Sequence, residues 1–198
     1  MSKPVLHLAS ASPRRRELLT ALGLDFSYDG VAIDESALPG EVPSDMVLRL
    51  ATSKARTAYE SGEHPAPVLG ADTIVLVDDR VFGKPASKEE ALAMLASLSG
   101  RTHQVLTGVA VVANGELQTA ISRTEVQFRE IHPDEAEAYW QSGEPAGKAG
   151  AYAVQGLGGI FVSAINGSYT GVVGLPVFET VNLLRRAGIK LPAMPDHR

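Results

Sequence analysis

The feature that most constrains the fold of this chain is an apolar run followed almost at once by the start of a helix. Residues 5–9 are mostly apolar and predict a buried strand. Ser12 is a favourable N-cap, and Pro13 suits the first helical position because its missing N–H would have no helical partner there. Helical spacing then continues to a C-capping glycine, through Leu18, Leu19, Leu22 and Gly23.

The first turn of this predicted helix is unusually basic. Arg14, Arg15 and Arg16 lie at the positive end of the helix dipole, where acidic residues would be stabilising. The hydroxyls of Ser10 and Ser12 and the free backbone N–H groups converge on the same place. A bound polyanion such as phosphate would make this arrangement favourable. A solvated basic turn is the alternative, and this stretch alone does not separate the two.

Composition narrows the class of protein. The 198 residues suit one domain or two closely joined lobes, and we expect a single domain over 1–189 with a loose tail over 190–198. The net charge of −5 argues against general nucleic-acid binding. The absence of cysteine excludes disulfides, thiolate nucleophiles and cysteine zinc sites, and is compatible with the cytoplasm. No apolar run approaches the roughly 20 residues needed to span a membrane, and none is typical of a signal peptide.

Periodicity and turn residues predict alternating strands and helices. Strands are predicted at 26–33, 68–77, 81–85, 103–112, 117–121 and 124–128, and a second hairpin at 160–165 and 168–173. Asn114-Gly115 and Asn166-Gly167 supply the two hairpin turns. Helices are predicted from 43 to about 59, after a capping box at 87–90, from 133, and after 174–176.

Two charged residues fall on faces that should be buried. Lys54 follows Leu50 by one turn on the apolar stripe of the 43–59 helix, so its ammonium points inward unless the side chain snorkels to solvent. Asp72 interrupts an apolar strand, where a carboxylate is costly to bury unless it is paired or bound to metal. Asp72 is therefore a candidate catalytic or metal-binding group, the alternative being an acid that only binds neighbouring backbone N–H groups. Lys84 follows on the returning strand and could reach the same place.

Glycine is concentrated between residues 143 and 174, which hold nine of the chain's nineteen. This density predicts loops in which backbone approaches backbone or ligand, including 147–150 and 155–159. Neither segment matches a dinucleotide-binding or Walker pattern. His103 and His132 have no partner at metal-ligand spacing, and we interpret both as structural.

Six short motifs occur in a specific order along the chain. They are 10–15 (SASPRR), 53–55 (SKA), 70–73 (GADT), 83–85 (GKP), 148–152 (KAGAY), and 166–169 (NGSY) with 174–176 (GLP). With these motifs the chain resembles the Maf family of nucleoside triphosphate pyrophosphatases up to about Gly188. The resemblance implies an α/β fold of Maf/ITPase-like type, with a strongly twisted mixed sheet flanked by helices and two lobes around a nucleotide cleft. Ala11 stands where the family often has glycine.

The resemblance also implies roles for individual residues. Segments 70–73 and 155–159 are similar to the branch that acts on dTTP and UTP. Carried over residue by residue from the family, Asp72 becomes the proton acceptor. Specificity positions carried over in the same way are Arg14, Thr73 and Gln155. Groups suited to binding phosphates are Ser10, Ser12, Arg14, Arg15, Lys54 and Lys84. Mg²⁺ or Mn²⁺ is expected at Glu35 and Asp72, since Mg²⁺ usually takes one or two carboxylates from protein.

The expected reaction is hydrolysis of a small-molecule nucleoside triphosphate to the monophosphate and pyrophosphate. The resemblance extends this to modified pyrimidine nucleotides, a house-cleaning role with a link to cell-division arrest, and a homodimer. A nucleotide-binding regulator without turnover would share every phosphate-binding residue and would need no base at Asp72. A nucleotidyl transferase would need an acceptor pocket, for which the sequence gives no signal.

Overall fold

The computed structural model describes residues 4–62 and 66–191. Its strands are β1 (Leu6–Ala9), β2 (Phe26–Asp29), β3 (Val68–Val77), β4 (Arg80–Phe82), β5 (Thr102–Ala113), β6 (Glu116–Phe128) and β7 (Val162–Asn166). Its α-helices are α1 (Pro13–Ala21), α2 (Pro43–Glu60), α3 (Lys88–Leu98), α4 (Pro133–Gln141), α5 (Tyr169–Val173) and α6 (Val177–Arg186). Two short 3-10 helices lie at Ala149–Ala151 and Leu157–Phe161. None of the described helices is both long and apolar enough to cross a membrane.

The strands form one mixed sheet in the order β2-β1-β3-β5-β6-β7, with β4 paired to β3. Strand β1 is parallel to both of its neighbours, β2 and β3. The β3–β4 and β6–β7 pairs are antiparallel. The turn between β5 and β6 has positive φ at Asn114 (52°) and Gly115 (81°), as a two-residue hairpin turn requires. The predicted mixed α/β fold is therefore confirmed.

By its internal contacts the chain divides into two compact units. The first unit comprises Met1–Asp72, Thr107–Ile121 and Gly174–Arg198, and the second comprises Thr73–Leu106 and Ser122–Val173. The division runs through strands β3, β5 and β6. The predicted nucleotide cleft between two lobes stays a prediction. Most of the predicted tail, 192–198, lies outside the described residues, whereas Leu191 packs in the core of the first unit.

The first unit has its core on both sides of β1. Leucines of β1, α1 and α6 form one apolar cluster, which includes Leu6, Leu8, Leu19, Leu183 and Leu184. Small residues of α2 form the other cluster against the sheet, through Ala51, Ala55 and Ala58 with Ala9 and Ala110. The predicted apolar stripe of α2 is confirmed, because these alanines, Val47 and Leu50 are buried.

The second unit has an aromatic core. Phe128 of β6 makes edge-to-face contacts with His103 and Tyr152, at ring-centroid distances of 4.8 Å each. Tyr139 of α4 packs in the same manner on Phe161, at 5.2 Å. Helix α3 adds a leucine face to this core, and its capping serine, Ser87, accepts the Glu90 backbone N–H as the sequence predicts.

Several predicted strands differ from the structure, among them the one at 81–85, since β4 ends at Phe82. The strand predicted at 26–33 ends at Asp29, and the strands predicted at 117–121 and 124–128 are one continuous β6. The second hairpin is wrong, because Tyr169–Val173 is helical and β7 pairs with β6 instead. Ser168 caps this helix, since its Oγ accepts the Gly171 N–H at 3.0 Å while its own N–H is bound by the Thr124 hydroxyl.

Candidate active site

The turn before α1 is organised by Ser10. Ser12 occupies the N-cap with an extended backbone, as predicted, but its hydroxyl makes no capping hydrogen bond. Ser10 is buried, and its Oγ accepts the Ser12 N–H at 3.3 Å and the Arg15 Nη1 at 3.1 Å. Arg14 lies beside them, half-buried in the first turn of the helix. Two hydroxyls and two guanidinium groups therefore share this end of α1.

Arg15 is half-buried, and its guanidinium interacts with two carboxylates. Its Nε donates to the backbone carbonyl of Gly174 at 2.8 Å. Burial lowers the pKa of the Arg15 guanidinium, while the charges of Asp72 and Glu35 act to raise it and Arg14 acts to lower it. Sequence reasoning missed the Gly174 contact, because a backbone carbonyl leaves no signal in residue type. The contact fixes the guanidinium that faces the acids.

Lys54 joins the two acids that the sequence singled out. Its Nζ lies 2.6 Å from Asp72 Oδ1 and 2.6 Å from Glu35 Oε1. Lys54 is only 8% exposed, so its side chain does not snorkel to solvent. Asp72 is equally buried, whereas the side chain of Glu35 is 48% exposed. We call Arg15, Glu35, Lys54 and Asp72 the charged cluster.

The close approach of α2 to β3 positions Lys54. A Cβ added at Gly70 would lie 2.3 Å from the Ala51 carbonyl oxygen, so only glycine fits under the helix there. Gly70 and Asp72 face the same side of β3 because side chains on a strand alternate. Lys54 lies one turn beyond Ala51 on the helix face that meets this side. Local packing of small residues therefore brings the ammonium to the carboxylate.

Glu35 comes from a loop, residues 30–42, that is tied down by a second ion pair. Arg49 of α2 donates from Nη2 to Glu41 Oε2 at 2.7 Å and to the Ser36 carbonyl at 3.0 Å. The hydrogen bond from Arg49 lowers the pKa of Glu41. Sequence reasoning missed both residues, which act on Glu35 only through the chain between them. The eight-residue separation of an arginine and a glutamate gives no distinctive pattern.

The remaining predicted residues lie in the second unit. Thr73 follows Asp72 on β3 and is half-buried. Lys84 is exposed in the segment after β4, and Gln155 is exposed in the glycine-rich segment. The structure thus brings Ser10, Ser12, Arg14 and the charged cluster together within the first unit. That Thr73, Lys84 and Gln155 contribute to the same site stays a prediction.

The described residues contain no group of three or more histidine, cysteine, aspartate or glutamate side chains that could hold a metal ion. Asp72 and Glu35 are the pair that meets at one point, the Lys54 ammonium. His103 is buried with its Nε2 2.9 Å from the Tyr152 hydroxyl, and burial lowers its pKa to about 4. The fold thus uses His103 as a neutral core residue, which agrees with its structural interpretation.

Known proteins resemble this chain over almost its full length. The sequence model described as Maf-like protein matches residues 5–187. A protein named dTTP/UTP pyrophosphatase from Bordetella avium (strain 197N) is 52% identical, covering 96% of this chain and 98% of its own. Another of that name from Pseudoalteromonas translucida (strain TAC 125) is 50% identical, covering 91% and 95%. The solved Staphylococcus aureus Ham1 protein covers 91% of this chain and 96% of its own at 15% identity and a TM-score of 0.46, too distant to support an argument.

Proposed function

This chain belongs to the family of Maf-like proteins, and on that premise we propose that it hydrolyses dTTP and UTP to the monophosphate and pyrophosphate. Relatives about half identical to it over nearly their whole length carry the name dTTP/UTP pyrophosphatase. The family match includes every residue to which the sequence assigned a role. Modified pyrimidine triphosphates, with a house-cleaning role and a link to cell-division arrest, fall within the same proposal.

One observation carries the proposal: the buried ammonium of Lys54 is joined to two carboxylates beside the half-buried Arg15. Buried charges contribute little to net stability, because desolvation offsets most of their mutual attraction. A cluster of this kind is therefore better explained by chemistry than by folding. Its contents, cations for phosphate oxygens and an acid that can accept a proton, are those that triphosphate hydrolysis needs.

In the proposed reaction the protein positions a water and neutralises charge. The water oxygen forms a bond to the α-phosphorus, and the bond from that phosphorus to its bridging oxygen breaks. Pyrophosphate leaves with the electron pair, and Asp72 accepts the proton that the water loses. Arg14, Arg15, Lys54 and Lys84 spread charge over the phosphate oxygens. Attack at the α-phosphorus follows the pyrophosphatase reaction of the named relatives.

Asp72 and Glu35 would hold a divalent cation such as Mg²⁺ or Mn²⁺. The donor set fits, because these two carboxylates meet at one point and Mg²⁺ usually takes only one or two from protein. When bound, the cation neutralises charge on phosphate oxygens. Lys54 pairs with both acids, so it shares them with any cation that binds there.

Base choice is proposed to depend on Arg14, Thr73 and Gln155. A uracil-type edge offers two carbonyl acceptors and one N–H donor, a pattern that an amide side chain and backbone groups can match. Gln155 supports this assignment because it is exposed and is followed by Gly156. We also propose that the enzyme is cytoplasmic and acts without nucleic acid or membrane. It is further proposed to form a homodimer, which light scattering would detect.

Product analysis tests the proposal directly. Purified protein is incubated with UTP and Mg²⁺ in H₂¹⁸O, and products are separated by anion exchange and weighed by mass spectrometry. We expect UMP carrying the label together with unlabelled pyrophosphate. Labelled pyrophosphate would move the attack to the β-phosphorus, and UDP with phosphate would move it to the γ-phosphorus. Saturable UTP binding without products would instead favour a regulator that does not turn over.

A further inference from the structure

Glu144 of the second unit holds the segment around Gln155 by its backbone. Its Oε2 accepts the Leu157 N–H at 2.9 Å, and its Oε1 accepts the Gly158 N–H at 2.9 Å. Burial acts to raise the pKa of Glu144, but the hydrogen bonds from Gly158, Tyr139 and Leu157 outweigh it and the pKa is lowered. The carboxylate is therefore an ionised acceptor at neutral pH, bound to two consecutive backbone N–H groups.

Tyr139 extends this contact to the other side of Gln155. Its hydroxyl donates to Glu144 Oε1 at 2.7 Å and accepts the Ala153 N–H at 3.1 Å. Tyr139 itself is buried in the core of the second unit, so the hydroxyl has a fixed base. Ala153 lies two residues before Gln155, and Leu157 lies two residues after it. The Tyr139–Glu144 pair therefore fixes the backbone on both sides of Gln155.

The glycines of this segment leave room for the pair. A Cβ at Gly156 would lie 2.1 Å from Glu144 Oε2, and a Cβ at Gly158 would lie 2.5 Å from the Tyr139 hydroxyl. The φ of Gly156 is −118°, which any residue can adopt. Close approach to Glu144, not backbone conformation, is therefore the reason for glycine at position 156.

Gln155 differs from its neighbours in having an unengaged side chain. Within 4–62 and 66–191 its amide makes no hydrogen bond, and the residue is exposed. The structure thus holds the backbone of Gln155 while leaving its amide available to a ligand. This is the arrangement expected of a residue that reads a ligand edge, since a fixed backbone limits the positions that the amide can take.

We infer that Glu144, supported by Tyr139, is a positioning residue that sets the preference for uracil-type bases by fixing the backbone around Gln155. The inference rests on the proposed function and adds to it a residue that does not contact the substrate. Its consequence is specific: disturbing Glu144 changes the ratio of substrates more than it changes the reaction.

The first test is Glu144→Gln, assayed by kcat and KM with UTP and with dGTP. The amide replaces one acceptor oxygen by an NH₂ group that faces a backbone N–H. We expect kcat/KM for UTP to fall about tenfold, the low end for losing a hydrogen bond to a charged group, mainly through KM. With dGTP kcat/KM should change little. Glu135→Gln is the matched control, because Glu135 also accepts a backbone N–H, from His132, and an arginine, but lies outside this segment.

A double-mutant cycle with Gly156→Ala provides an independent test. The new methyl group collides with the Glu144 carboxylate, and this collision is absent in a Glu144→Ala background. Gly156→Ala alone should therefore lower the ratio of kcat/KM for UTP to kcat/KM for dGTP. In a Glu144→Ala background the same substitution should lower this ratio no further. If Glu144→Gln fails to fold by circular dichroism, the ratio measured for Gly156→Ala alone decides the matter, because that variant keeps the Glu144 carboxylate.

The outcomes separate the inference from the proposed function. Equal losses with UTP and dGTP, or additive effects in the cycle, would show that Glu144 only stabilises the second unit and would overturn the inference. A selective loss with UTP and a non-additive cycle would support it. Wild-type protein that releases no pyrophosphate from UTP would overturn the proposed function itself.

Discussion

The charged cluster of the first unit and the segment around Gln155 in the second unit are held by opposite kinds of contact. In the charged cluster side chains bind side chains, with Lys54 Nζ 2.6 Å from an oxygen of each acid. Around Gln155 a side chain binds backbone, with the Glu144 carboxylate accepting two N–H groups. The first arrangement depends on charge, and the second depends on the course of the chain.

This difference predicts two kinds of response to mutation. On the proposed roles, a neutral isostere in the charged cluster should remove a reacting group and leave the backbone where it was. A change beside Gln155 should alter which base is accepted and leave the reacting groups intact. The predictions below are ordered by their expected effect on turnover, from the largest to the smallest.

Asp72→Asn should have the largest effect. The amide keeps the shape of the carboxylate but cannot accept a proton, so we expect kcat with UTP to fall at least about a hundredfold, the low end for losing a general base. The variant should fold normally and bind nucleotide, and binding without metal should be no weaker, because one negative charge near the phosphates is gone. Steady-state kinetics and isothermal titration calorimetry measure the two quantities.

Asp78→Asn is the control for this prediction. Asp78 forms a comparable 2.6 Å ion pair with Arg101, but its side chain is 67% exposed, so its loss should leave kcat unchanged. Turnover of Asp72→Asn near that of the wild type would remove Asp72 as the base. Glu35 would then be the acid to replace next.

Base preference should give the next largest difference in kcat/KM. It tests the segment around Gln155 without any mutation. We expect kcat/KM for UTP and dTTP to exceed that for dATP and dGTP by at least about tenfold, since purines leave hydrogen-bonding groups of a uracil site unpaired. Competition assays with mixed triphosphates measure the ratio. Equal values for purines would reject a pyrimidine-reading segment while leaving the family assignment intact.

Removing a cationic side chain should have a smaller effect, which falls on the binding of the triphosphate. For Lys84→Ala we expect KM for UTP to rise about fivefold, the upper end for an exposed charge pair, with little change in thermal stability. Half-buried Arg14→Ala should raise KM by at least as much. Lys88→Ala is the matched control, because Lys88 lies four residues after Lys84 and pairs with Glu137. If either variant is largely unfolded but its remaining folded fraction turns over UTP normally, the replaced residue has a structural role.

His103→Gln should have the smallest effect on turnover and a clear effect on stability at low pH. The folded pKa of His103 is lowered by burial to about 4, below its ordinary value of 6.5, so unfolding takes up a proton between these values. Stability therefore falls as pH drops from 6.5 to 4, by about 3 kcal/mol for this one group. Glutamine does not titrate and can keep the contact with Tyr152.

Urea unfolding of both proteins at several pH values measures this difference. The wild type should lose more stability than His103→Gln between pH 6.5 and 4, and kcat at neutral pH should be the same. Parallel pH profiles would mean that His103 is protonated without cost in the folded state. That result would contradict the neutral core role assigned to it.

The sequence predicted those features that appear as residue types out of place. Lys54 on an alanine and leucine stripe and Asp72 in an apolar strand are visible without a structure, because an isolated charge on a buried face needs a partner. The structure brings them to one another. Sequence spacing could not name the partner, since the two residues meet only when α2 packs on β3.

Features built from backbone contacts could not be predicted in this way. Glu144 looks like any surface glutamate, because its partners are N–H groups that every residue carries. Ser168 to Val173 has the β-branched and aromatic composition of a strand, yet Ser168 caps a helix there. In both cases the deciding partners are distant in sequence: Glu144 binds the N–H groups of Leu157 and Gly158, and Ser168 binds Thr124.

Helix α2 rests on the sheet at two glycines, and this has a consequence for how such a chain can acquire new substrates. A Cβ at Gly70 would lie 2.3 Å from the Ala51 carbonyl oxygen, and one at Gly108 would lie 2.6 Å from that of Val47. Any larger residue at either position lifts the helix and carries Lys54 away from both acids. Substitution at Gly70 or Gly108 should therefore abolish hydrolysis before it could change the substrate. The exposed side chain of Gln155 meets no such restriction, and on the proposed roles a change there should alter the accepted base while hydrolysis continues.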